Sequence, residues 1–141
     1  HEMSGELGLG VAEAGFSFYV KPSKPWFIGR AAYLARERER KGVVIRFRFS
    51  EKGVRMAHTG DPVLDGKGRA VGVVTSCAID GDGYLTGQAY VEPKTINEGA
   101  PLWVYQSAPK TALKAPAELK AGDRVPLPTP AVVVSRFLKL A

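Results

Sequence analysis

Phe18, Tyr19, Trp26, Phe27, Trp103, Tyr105, Arg136 and Phe137 are the side chains of this sequence best suited to acting on a ligand. Aromatic rings stack on flat molecules, and a guanidinium donates paired N–H groups to a carboxylate or phosphate. Together the eight would make an aromatic and cationic wall for a flat anionic ligand. Each ring also has the ordinary alternative of core packing. Arg136 is less easily buried, so it is the strongest ligand contact of the set.

The motifs of self-contained catalysis fail on spacing. Gly66-Lys67 resembles the end of a phosphate loop, but Asp61 stands where the first glycine belongs and Gly68 where Ser or Thr belongs. Gly8-Leu9-Gly10 meets Glu13 at the position of a third glycine. Asp80 and Asp82 open like a calcium loop, but Tyr84 and Leu85 then occupy a ligand position and the obligatory glycine position. Asp80-Gly81-Asp82-Gly83 therefore reads as a hairpin turn. With His1 and His58 as the two histidines and Cys77 as the one cysteine, no standard zinc set can be completed. Cys77 reads as a buried small residue, and nothing places a Ser, a His and an Asp together as a triad. The sequence thus assigns no catalytic residue and no metal ligand.

The elements that would hold the wall follow from periodicity. Phe16, Phe18 and Val20 alternate with Ser17 and Tyr19, which predicts a short strand before Pro22 and Pro25. Ala31, Leu34, Ala35 and the stem of Arg38 recur at three-and-four spacing and predict a helix from about Gly29 to Arg40, stopped by Gly42. Glu37 and Lys41 stand at the favourable spacing for an exposed pair, and the run Arg36–Lys41 largely alternates in sign as a solvated face does. After Gly42 the period drops to two. Val43, Ile45, Phe47 and Phe49 fall on one face of a strand, with Arg46 and Arg48 on the other. Further strands are expected at Pro62–Leu64, Ala70–Ser76, Leu85–Val91, Leu102–Gln106 and Thr111–Leu113, separated by Gly- and Asp-rich turns. Pro116, Pro126, Pro128 and Pro130 predict an extended strap ending in Val132-Val133-Val134. The fold class expected is mainly β: an antiparallel β-barrel preceded by a short strand and one α-helix.

At 141 residues, 45% hydrophobic and 24% charged, the chain has the composition of one globular domain that needs no disulfide. A lone cysteine and the lack of an apolar leader or a bilayer-length apolar run fit a cytoplasmic protein. The net charge of +6 favours anionic partners, either nucleic acid or a small carboxylate- or phosphate-bearing ligand. A small basic barrel that binds single-stranded nucleic acid by stacking is the competing reading, as is a non-catalytic interaction domain. The positive charge is scattered, with Glu39 interrupting Arg38–Lys41, so nucleic acid is not the partner expected.

One ordered series of residues goes further. Glu13-Ala14-Gly15, Phe27-Ile28-Gly29-Arg30, the strand near Val43 and Lys52-Gly53-Val54-Arg55 come first. Gly60-Asp61-Pro62-Val63, Gly72-Val73-Val74-Thr75-Ser76 and Ala89-Tyr90-Val91 follow. In order and spacing this series, from Glu13 to Val91, resembles the C-terminal part of the glycine-cleavage T-protein (aminomethyltransferase) family. The resemblance implies a transferase of one-carbon metabolism that uses tetrahydrofolate, with a small-molecule methyl or aminomethyl donor and no membrane. It implies that the catalytic aspartate lies in an N-terminal folate-binding half upstream of His1, which is then this chain's partner. Residues 1–42 would be the end of that folate-binding region with a linker helix, and residues 43–141 the barrel domain with its Pro-rich strap. Arg136 and Phe18 are the cofactor-binding residues it implies here, and this chain alone would be inactive. Cys77, where aminomethyltransferases usually have glycine, and Ile79–Tyr84, in place of a Ser-Pro element, fit a folate-dependent demethylase relative with another donor.

Overall fold

A computed structural model describes residues 8–93, 97–106, 118, 120 and 127–136. Its core is a six-stranded antiparallel barrel. The strands are β1 (Val43–Phe49), β2 (Pro62–Leu64), β3 (Ala70–Ile79), β4 (Leu85–Val91), β5 (Pro101–Val104) and β6 (Thr129–Val134). They close in the order β1-β4-β3-β2-β5-β6, with β6 returning to β1. Closure leaves no unpaired sheet edge between these strands.

Strict alternation builds β1. Ile45, Phe47 and Phe49 point into the barrel, where the rings of Phe47 and Phe49 meet edge to face at 5.5 Å. Phe47 is fully buried because the residue opposite it on β4 is Gly87. A Cβ on Gly87 would come 2.6 Å from the Phe47 ring, so only glycine leaves the ring its space. Leu102, Val63, Val74, Val91 and Val104 complete the layer around it. β3 is less regular. Its register shifts against β2 beside Val71 and against β4 beside Thr75, which lets Val71 and Val74, three apart, both point inward.

The strands expected at Val43–Phe49, Pro62–Leu64 and Leu85–Val91 form at those bounds, while the third runs on to Ile79 and the fifth spans Pro101–Val104. Three expectations need correction. Phe16–Val20 is not a strand: Ser17–Tyr19 makes a single 3-10 turn without a sheet partner, and Phe16 and Phe18 stay about half exposed. The helix, α1, is shorter, at Arg30–Arg38. No residue of it is buried, and Glu37 pairs with Arg40 at 3.7 Å instead of with Lys41. Its inner face is Ala32, Tyr33 and Arg36, which line a cleft with Leu9 to Glu13. Finally, Thr129–Val134 is not a strap but the strand that closes the barrel. Pro130 is tolerated there because it sits at the last rung beside β1, where its carbonyl accepts the Ser50 N–H at 3.0 Å and one bond alone, from its absent N–H, goes unmade. The strand expected at Thr111–Leu113 and most of the strap lie outside the described residues.

Candidate functional site

Leu9 to Phe16 lead into the barrel as a compact turn, held by Ala14 N–H on Gly10 O at 2.9 Å and Phe16 N–H on Val11 O at 2.8 Å. Two side chains fasten this segment to β1 and β4. Glu13 accepts the Gly10 N–H at 2.7 Å and the Tyr90 hydroxyl at 2.6 Å, while its own carbonyl accepts the Val44 N–H at 2.7 Å. Arg136, just past β6, donates to the carbonyls of Ala14 and Val44. Its guanidinium also lies 5.0 Å from the centre of the Phe16 ring, a cation–π distance. Gly15 sits beneath it at φ +77°, and any Cβ there would collide with the guanidinium.

The electrostatics follow from these bonds. The Tyr90 hydroxyl, then the Gly10 N–H, hold the Glu13 carboxyl below its ordinary value despite partial burial, with Arg36 contributing. Burial, then the Glu13 carboxylate, push Tyr90 up to about 12. A depressed carboxyl stabilises the docked segment above its ordinary value and loses that contribution as pH falls through its folded value. Docking should therefore loosen as pH falls below the ordinary glutamate value of about 4.3. Glu13→Gln should flatten this acid limb and cost about 1–3 kcal/mol, since a charged hydrogen-bond acceptor is replaced by a neutral one. The Val44 amide resonance followed through an acid titration reads the effect. Identical acid limbs in both proteins would refute it.

Arg136 and Phe18 are linked through a run of rings. Phe16 lies 6.2 Å from Tyr19, and Tyr19 lies 4.1 Å from Phe18. The rest of the expected wall is dispersed. Trp26 is 74% exposed. Trp103 lies over the Gly66 turn, 3.6 Å from where a Cβ on that glycine would stand. Phe137 lies outside the described residues. Phe16 also belongs to this site, as do Glu13 and Arg46, whose partners Tyr90 and Ser135 come from distant parts of the chain.

The turns read from the sequence are structural. Asp80 Oδ1 accepts the N–H groups of Asp82 at 2.9 Å and Tyr84 at 3.0 Å, and its other oxygen lies 3.0 Å from Arg48 Nε. His58 is exposed, with its backbone N–H on Asp61 Oδ2 at 2.8 Å. Among the described residues no group of His, Cys, Asp or Glu is placed to hold a metal, and no helix is long and apolar enough to cross a membrane.

The class defined by this geometry is a closed antiparallel barrel with an N-terminal segment fastened to its outer wall and a short helix facing that segment. Among solved structures it is similar to the glycine cleavage system aminomethyltransferase T from Bartonella henselae, with a TM-score of 0.63 at 18% identity. The likeness covers 89% of this chain and 31% of that protein, so the chain spans about a third of its neighbour's length. At that identity the likeness is one of fold. No family model and no curated protein matches the sequence.

Proposed function

We propose that this chain is the C-terminal part of a tetrahydrofolate-dependent one-carbon transferase, moving an aminomethyl or methyl group. In that reading residues 1–42 end the folate-binding region and residues 43–141 form a barrel that closes one side of the pocket. The observation that carries the reading is the fold likeness to an aminomethyltransferase over 89% of the chain. Exposed apolar side chains just before α1 support it. Trp26 and Ile28 are 74% and 88% exposed, as expected of a face that another part of a longer polypeptide covers.

Tetrahydrofolate, when bound, supplies the nitrogen that accepts the one-carbon unit. The residues present suit one end of such a ligand: Arg136 for a carboxylate and the Phe16, Phe18 and Tyr19 rings for flat surfaces. Their contribution is to orient the ligand and exclude water, which transfer between two held partners requires. The donor is an aminomethyl or methyl compound, and the lone Cys77 is at home in a reducing cytoplasm.

Arg136→Ala tests the assignment in the polypeptide that naturally carries these residues. Tetrahydrofolate affinity should fall about tenfold or more, the worth of a hydrogen bond to a charged group at about 1.5–3 kcal/mol. The melting temperature should fall too, since the Ala14 and Val44 carbonyls lose their donor. A lowered melting temperature with unchanged tetrahydrofolate affinity would make Arg136 a fastening residue alone.

A further inference from the structure

We propose that Arg46, with Gln88 and Arg136, forms a carboxylate-binding subsite on the outer wall of the barrel. The contrast between two arginines on one strand carries the argument. Arg46 and Arg48 stand two apart on β1 and share its outward face. Arg48 is matched by carboxylates, with Asp80 and Asp82 each at 3.0 Å. Arg46 donates instead to two main-chain carbonyls, of Ser135 at 3.2 Å and Arg136 at 3.4 Å, and no ion pair forms on it among the described residues. Carbonyls occupy N–H groups of a guanidinium but leave its charge in place. One Nη of Arg46 makes both of those bonds, so Nε and the second Nη keep N–H groups for a further acceptor.

A cavity of about 200 Å³ opens at this point. Arg46, Arg136, Gln88 and the Phe16 ring line it, with Val44 and Ile45 beneath. Gln88 is the direct cross-strand partner of Arg46, so its amide adjoins the guanidinium on the same face. Arg136 brings a second guanidinium to the same cavity. A planar carboxylate matches the guanidinium fork, and the adjacent ring suits a ligand whose carboxylate is borne on a flat apolar body. That carboxylate belongs either to the tail of a folate or to a separate small organic acid. The subsite stands on Arg46 whichever is correct, so it does not depend on the function proposed above.

The test uses benzoate as the probe, followed by NMR on the 141-residue chain. Benzoate should shift the Arg46 and Phe16 resonances with a millimolar dissociation constant, and neutral benzamide should not. Arg46→Gln should weaken benzoate at least tenfold. Gln88→Glu, which sets a competing carboxylate beside Arg46 without removing it, should do the same while the melting temperature is kept or raised. Equal shifts with benzamide, or benzoate binding unchanged in both variants, would overturn the proposal, as would no binding at all. In the longer polypeptide, tetrahydrofolate is compared with tetrahydropteroate, which lacks the glutamate tail. A preference for the former that Arg46→Gln abolishes assigns the subsite to the folate tail. An unaltered preference beside Arg46-dependent benzoate binding assigns it to a separate acid.

Discussion

Phe47→Ala should lower the unfolding free energy by about 3–5 kcal/mol, the range for truncating a fully buried aromatic. The ring is wholly enclosed, stacks edge to face on Phe49 and fills space left by Gly87. Because the barrel is closed, neighbouring strands cannot collapse into the gap without breaking a ladder, which places the expected cost toward the upper end. Domains of this size have about 5–15 kcal/mol in total, so the variant keeps little reserve. Denaturant titration should show a shifted midpoint with an unchanged slope. A loss below about 1 kcal/mol, the scale of an ordinary surface change, would mean that β1 is not the centre of the core.

The chain by itself should show no one-carbon transfer above background. General acid–base catalysis contributes about 10²–10⁴-fold, and it requires a titratable group held against the reacting atoms. The groups this structure organises are spent elsewhere: Glu13 fastens the leading segment, and Asp80 and Asp65 hold turns. The proposed function puts the reacting aspartate in the other half of the polypeptide. Turnover measured with candidate methyl and aminomethyl donors, beside a cooperative melt of the same sample, checks this. Measurable transfer by the 141 residues alone would locate the chemistry within them.

Much of the fold was legible in the sequence because a barrel strand with one buried face writes itself as alternation. Val43 to Phe49 is the clearest case, and the Gly- and Asp-rich turns marked where strands end. β6 is hard to read because Pro128 and Pro130 signal an unpaired strap, whereas Pro130 stands at the last rung beside β1 and keeps its carbonyl bond to the Ser50 N–H. Phe16 to Val20 was misread for the opposite reason. Alternation over five residues arises easily by chance, and among the described residues no strand pairs with it. The site was harder still. Tyr90 meets Glu13 from 77 residues away, and Arg46 meets Ser135 from 89, and no local pattern encodes such meetings. Alternation placed Arg46 and Arg48 on one outer face. It could not say that one would find carboxylates in the β3–β4 hairpin while the other faced a second arginine.

The central claim of the proposed function is that this barrel and its leading segment are one wall of a folate pocket. Calorimetry with tetrahydrofolate, run on the 141-residue chain and on the longer polypeptide that the proposed function calls for, tests that claim most directly. The longer polypeptide should bind in the micromolar range, about −8 kcal/mol. The chain alone should bind at millimolar concentration or not at all, about −4 kcal/mol or weaker, because the proposed function puts the rest of the pocket's contacts outside these residues. Micromolar binding by the chain alone, or none by the longer polypeptide, would contradict the account.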